Sequence, residues 1–332
     1  MRCNELSALL LIVTLGLTPG CRRNGSETVQ PSNGLTASRF EPTPARLERG
    51  RYLVEAVTGC FHCHSANDWK KPGAPPLEGQ KGAGTVFPME GFTWVVVPNL
   101  TPDDRTGIGQ MTDPQIARAI REGIGRDGRR LFPLMPYLNY RQMSDEDVAS
   151  VVVYLRSLEP VSNALPPMQM PREIAEHLPP VEPLNQPVVA PDRNDPIAWG
   201  RYLVTLGDCF TCHTVGVIDQ GRPQPGMEFA GGMVFKGPWG SVAAANITPD
   251  PSGISYYDET LFIEAMRTGH VKARALNPLM PWAVYGKMTD GDLKAVFAFL
   301  RALPAVKHRV DNTEPVTPCA RCGKDHGAGA FN

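Results

Sequence analysis

The sequence predicts a mainly α fold: two tandem helical domains joined by a Pro-rich linker. Three observations carry that expectation. Short motifs recur in the same order, "GRYLV" from Gly50 and Gly200, "NLTPD" from Asn99 with "NITPD" from Asn246, and "PLMPY" from Pro133 with "PLMPW" from Pro278. Matches that keep order and near-constant offset mark an internal duplication. Apolar residues in both halves recur at helical spacing. Between the halves, prolines crowd the stretch from Pro160 to Pro196, which reads as an extended strap over the surface. A chain of 332 residues, 42% hydrophobic and 20% charged, suits two globular domains that each bury a core of their own.

The elements follow in order. Residues 1–20 read as a signal peptide, because Arg2 precedes an apolar run from Ala8 to Leu17 that is too short to span a bilayer. Cleavage before Cys21 would leave a cysteine for lipid anchoring and a membrane tether. Thr18 and Pro19 fit that signal imperfectly, so an ordinary cleavage that leaves a soluble protein stays open. Residues 21–45, rich in Ser, Thr, Pro and Asn, read as a flexible tether. The first domain is expected over 46–160, the linker over 161–196, the second domain over 197–305 and a tail over 306–332.

Within each domain three helices are expected. Tyr52, Leu53, Ala56 and Val57 form one apolar face, as do Tyr202, Leu203 and Leu206. A middle helix starts at Asp113, carries Pro114 in its first turn, buries Ile116, Ala119 and Ile120, and stops at Gly123. Phe262, Ala265 and Met266 match it, ending at Gly269. The last helix places Val148, Val151, Val152, Leu155 and Leu158 on one face. Leu293, Val296, Phe297, Leu300 and Leu303 repeat that face at a constant offset of 145 residues.

The chemistry lies in the cysteines. "CFHCH" at Cys60, Cys63 and His64 recurs as "CFTCH" at Cys209, Cys212 and His213. On a helical turn, thiols at i and i+3 point the same way. They can form thioether bonds to the two vinyl groups of one haem, leaving the following histidine to meet the iron. Zinc sites and redox pairs can also carry this spacing. A thioredoxin-like disulfide needs a βαβ setting that is absent here, and tetrahedral zinc needs a second close ligand pair. The expected cofactors are therefore two covalently bound haem c groups.

A second axial ligand should then occur twice, and two methionine pairs compete. Met143 and Met288 precede Ser144 and Thr289, which look like helix N-caps with a hydrophobic staple to Val148 and Leu293. Met135 and Met280 lie in Pro-flanked loops with no evident packing duty, 71 and 67 residues beyond the histidines, and are the expected ligands. Thioether ligation raises a haem's potential relative to bis-histidine. A closed coordination shell suits outer-sphere electron transfer. The ring nitrogens of His64 and His213 that do not face iron should bond loop carbonyls.

The motifs "CFHCH", "NLTPDDRTGIG", "PLMPY" and "MSDEDVASVVVYLRSL", with their second copies, resemble the c-type cytochrome subunits of bacterial periplasmic dehydrogenases that act on alcohols, gluconate or aldehydes. The resemblance covers residues 48–160 and 197–305. It implies a class I cytochrome c fold in each half, ligation by His64, Met135, His213 and Met280, and a periplasmic location. It also implies a dehydrogenase catalytic subunit as electron donor and an oxidase or other cytochrome as acceptor. Many members of that family carry three haem domains, whereas this chain carries two. The rival reading is a dihaem enzyme of peroxidase or thiosulfate dehydrogenase type, which would need an open or displaceable iron position. A net charge of −1 leaves no basic footprint for nucleic acid.

Other residues have competing readings. His62 is expected on the surface. Asn99 and Asn246 either donate near a haem edge or hold a turn. Arg121 and Arg267 either neutralise haem propionates or form surface ion pairs. Trp94, Trp239 and Trp282 either contact haem or pack in the core. Cys319 and Cys322 are followed by Gly323 where a haem motif needs histidine, which favours a local disulfide or an unstructured end.

Overall fold

The computed structural model describes residues 37–310 except Pro179 and Asp219, with short strands at 317–318 and 325–326. The signal peptide, Cys21 and the 319/322 cysteines lie outside the described residues.

The fold is mainly helical, and one series of elements occurs twice. Helix α1 (Pro44–Tyr52) runs into a π-helical turn (Leu53–Val57) and then α2 (Cys60–Cys63). Helices α3 (Asp113–Glu122), α4 (Tyr137–Tyr140) and α5 (Asp145–Arg156) complete the first series. After a short α6 (Arg172–Glu176), the order returns as α7 (Pro196–Leu206), α8 (Cys209–Cys212), α9 (Glu259–Thr268), α10 (Trp282–Tyr285) and α11 (Asp290–Arg301). Strands among the described residues are short antiparallel pairs.

Helix boundaries follow local chemistry. Thr112 and Gln115 form a reciprocal capping box on α3, and Gly123 ends it in the left-handed conformation at φ 63°. Gly269 ends α9 in the same way at φ 70°. Ser144 and Thr289 accept hydrogen bonds from the backbone N–H of Asp147 and Asp292, as N-caps do.

The dominant packing is α1 on α5 and α7 on α11. The glycine that opens each "GRYLV" makes these crossings close. A methyl group at Gly50 would overlap the Ser150 carbonyl, and one at Gly200 the Ala295 carbonyl. On the expected faces of α5 and α11, Val148, Val151, Val152, Leu155, Leu293, Val296, Phe297 and Leu300 are buried, whereas Leu158 and Leu303 lie two residues past the helix ends and are half-buried. On α3, Ala117 is buried and Ala119 only half-buried, so the inward face is rotated from the one expected.

Instead of two separate cores, buried residues from both halves form one continuous cluster. A reciprocal seam explains why. The Tyr52 hydroxyl donates to Asp292 Oδ2 at 2.5 Å and accepts from the Thr289 N–H. The Tyr202 hydroxyl donates to Asp147 Oδ2 at 2.7 Å and accepts from the Ser144 N–H. Each half thus supplies a tyrosine to the N-terminus of the other half's last helix. Arg49 and the Trp199 indole complete the two carboxylates from their own halves.

Phe40 is also buried in this core, so the last residues of the segment read as a tether are held against the fold. The Pro-rich stretch clasps the surface. Val161 and Asn163 bond the Asn99–Thr106 loop, the Leu178 carbonyl accepts from Arg130, and the Val188 carbonyl accepts from the Asp145 N–H.

The close crossing predicts that Gly200→Ala lowers the unfolding free energy by about 1–3 kcal/mol through overpacking. Urea denaturation measures this, and an unchanged midpoint would contradict the geometry.

Candidate functional site

The two cysteine motifs are built alike. Gly59 at φ 61° and Asp208 at φ 55° turn the chain through the left-handed region into the one-turn helices α2 and α8. His64 and His213 cap these helices, with their N–H groups bonded to the carbonyls of Cys60 and Cys209. All four cysteines are free, and Cys60 and Cys209 pack against the main core. Cys63 is exposed, and Cys212 packs against a second apolar cluster that draws on both halves.

Behind each motif stands the expected anchor. His64 Nδ1 lies 2.8 Å from the Pro98 carbonyl, and His213 Nδ1 lies 2.7 Å from the Ala245 carbonyl. A ring N–H given to a carbonyl fixes the tautomer and leaves Nε2 as the atom able to bind a metal. Burial lowers the His64 pKa to about 4, with the Pro98 carbonyl opposing, and lowers that of His213 as well. Both imidazoles are therefore neutral at physiological pH, as a metal ligand must be.

The repeated Asn-x-Thr turn positions those carbonyls. Asn99 Oδ1 accepts from the Thr101 N–H and hydroxyl, while its amide donates to Thr106 and to the Val161 carbonyl. Asn246 does the same with Thr248, Ser252 and the carbonyls of Val306 and His308. Of the two readings for these asparagines, the turn is the one observed.

Met135 and Met280 are half-buried in loops that close identically, each carbonyl accepting the N–H two residues on at 2.7 Å. Met143 and Met288 are buried in the core beside their capped helices.

Two expectations need correction. His62 is half-buried, edge-on to Trp69 at 5.3 Å, and burial lowers its pKa to about 4. Trp69 belongs to the apolar cluster between the halves, which covers a ring expected to be solvated. Arg121 forms an ion pair that is fully buried, bonding Asp145 at 2.7 Å and the Met143 carbonyl. It locks α3 to the first residue of α5. Arg267 makes the corresponding link to Asp290 and the Gly286 carbonyl but stays partly exposed.

Trp239 and Trp282 stood among the residues expected to contact haem or pack in the core, whereas Tyr137, Arg141 and Ser241 were not legible as site residues. The Tyr137 hydroxyl, Arg141 Nη1, Ser241 Oγ and the indole N–H groups of Trp239 and Trp282 are buried without a protein partner. Buried donors seek an acceptor, and the carboxylates of a porphyrin would supply one. Tyr137 follows the loop methionine Met135 by two residues, as Trp282 follows Met280, and that repeat is the signal that could have found it. Neutral anchored imidazoles, paired thiols and orphaned donors fit haem. Among the described residues, no three His, Cys, Asp or Glu side chains converge to hold a metal ion, which disfavours zinc. Trp94 packs with Phe92 and Phe132 and donates to the Gly91 carbonyl.

Comparison with known proteins agrees. Residues 47–159 match the cytochrome c family model. The chain is 32% identical over 296 residues to the fructose dehydrogenase cytochrome subunit of Gluconobacter japonicus, covering 82% of this chain and 56% of that protein. It is 29% identical over 294 residues to the alcohol dehydrogenase (quinone) cytochrome c subunit of Gluconacetobacter polyoxogenes, covering 82% and 60%. A diheme cytochrome c-type protein of Cereibacter sphaeroides is 27% identical over 292 residues, covering 81% and 89%. The chain thus spans little more than half the length of the dehydrogenase subunits it matches.

The buried ion pair predicts that Arg121→Met costs about 3–5 kcal/mol by stranding Asp145. Arg267→Met should cost about 0–1 kcal/mol, as exposed pairs do. Equal losses in thermal denaturation would contradict the assignment. Residues 47–159 thus match the cytochrome c family, and the chain is similar over most of its length to the cytochrome c subunits of bacterial dehydrogenases.

Proposed function

We propose that this protein is a dihaem c-type cytochrome that carries electrons from the catalytic subunit of a dehydrogenase toward the respiratory chain. The observation that carries the reading is the doubled histidine–carbonyl anchor behind doubled cysteine pairs. In this reading residues 46–160 and 197–305 are two class I cytochrome c-like domains joined by the Pro-rich linker 161–196. The protein works in the periplasm after export, with Cys21 as its membrane tether.

Haem c supplies a one-electron Fe(III)/Fe(II) couple. Cys60 and Cys63, and Cys209 and Cys212, hold the two groups covalently. His64 and His213, oriented by the Pro98 and Ala245 carbonyls, would hold the irons through Nε2. Met135 and Met280, in loops stiffened by proline, would supply the second ligand to each iron. Thioether ligation there would raise both potentials and leave no open position for small ligands. Tyr137 and Trp282 offer buried donors to the porphyrin carboxylates. The donor is a dehydrogenase catalytic subunit and the acceptor an oxidase or another cytochrome.

The alternative, a dihaem peroxidase or thiosulfate dehydrogenase, needs one iron with an open position, and the repeated loop methionines argue against it. The reduced, haem-loaded protein should not bind carbon monoxide at either haem. Met135→His and Met280→His should each remove half of the iron–thioether charge-transfer absorption and lower one potential. Marked carbon monoxide binding at one haem, or an absorption unmoved by both variants, would favour the enzyme reading.

A further inference from the structure

The two halves place corresponding residues around their attachment helices, and the match breaks at one point. Gly59, which enters α2, has Asp208 as its counterpart at the entry to α8. Both adopt the same left-handed backbone. Glycine is the ordinary choice for such a position, and aspartate is among the few side chains that tolerate it. The partners differ in the same sense. A side chain at Gly59 would point at the methyl groups of Val284, whereas Asp208 Oδ1 accepts from Asn139 Nδ2 at 2.5 Å. Val284 and Asn139 hold corresponding positions in α10 and α4. Thr211, the counterpart of His62, donates a second hydrogen bond to Asp208 Oδ1 at 2.5 Å.

Asp208 lies where the two attachment motifs approach one another. Cys63 of the first motif, Cys209 and Cys212 of the second, and the hydroxyls of Tyr140 on α4 and Tyr285 on α10 all interact with it electrostatically. Once the cysteines are thioethers, the titratable groups that face it among the described residues are those two tyrosines, and burial raises both well above their ordinary range. The carboxyl is then the group in this set that changes charge near neutral pH.

Resting on the dihaem reading above, we infer that Asp208 is a potential-setting residue. Its negative charge beside the second attachment motif stabilises the oxidised iron there and makes the two otherwise matched haems unequal. The first motif, with Gly59 and Val284, lacks a carboxyl at the corresponding place. Electrons entering the chain therefore meet a gradient set by one side chain.

The charge is also conditional. Burial raises the Asp208 pKa to about 7, and the bonds from Thr211 and Asn139 oppose the rise. Gain of one electron by the neighbouring iron favours uptake of one proton from solvent at this carboxyl, and loss of the electron favours its release. The affected potential falls as pH rises through that titration and levels off on either side.

Spectroelectrochemical titration of the haem-loaded full chain, on both sides of neutrality, tests this. Asp208→Asn keeps an oxygen that can accept from Asn139 and Thr211 but removes the charge. It should raise one of the two potentials by about 59 mV, a tenfold change in a one-electron equilibrium, and abolish that haem's bend with pH. The other potential should move less. Should this variant fail to load haem, Asn139→Val removes one donor to the carboxylate and should move the bend to higher pH. Two potentials and pH profiles unchanged by Asp208→Asn, or a bend unmoved by Asn139→Val, would overturn the inference while leaving the dihaem reading intact. Fewer than two haems in the wild-type chain would overturn both.

Discussion

Two carboxylates at helix N-termini hold this structure together. Asp147 and Asp292 occupy the third positions of α5 and α11, where the helix dipole favours negative charge. Each receives a tyrosine hydroxyl from the opposite half. Burial, aided by Asp292, pushes the Tyr52 hydroxyl up to about 12, so it remains a donor at any ordinary pH. Hydrogen bonds to charged groups contribute about 1.5–3 kcal/mol each. Their reciprocity also fixes orientation, because sliding one half along the other would break both links. This constraint joins two sets of buried side chains into one core and brings the two cysteine motifs together.

The site inherits its precision from that frame. The close α1–α5 crossing at Gly50, and its counterpart at Gly200, set where the chain leaves the first helix of each series and enters the attachment turn. A single asparagine in each half then holds a loop carbonyl against the histidine ring and ties down the segment that follows the last helix. Fold and site therefore share residues. Loosening the Asn99 turn would release both the Pro98 carbonyl and the strap at Val161.

Much of this was legible in the sequence because the duplication acts as an internal control. A residue kept in both copies at one offset, such as His64 with His213, is singled out from neighbours that vary. Helical periodicity located the buried faces of α5 and α11, and cap chemistry separated Met143 and Met288 from the loop methionines. What escaped depends on contacts between distant segments. The seam tyrosines look like ordinary members of an apolar face, since nothing local says that a carboxylate of the other half awaits them. Arg121 reads as a surface cation until α5 covers it, and His62 as solvated until Trp69 is placed beside it. Asp208 escaped because attention to what the copies share hides the position where they differ.

The proposed role requires two haems, each bonded through a pair of thioethers to one polypeptide. Intact mass spectrometry of the denatured, matured protein tests this directly, since denaturation releases any haem that is not covalently held. The expected mass is that of the chain plus two haem groups, reduced to one when Cys60 and Cys63 are both replaced by alanine. A wild-type mass showing one haem or none would contradict it.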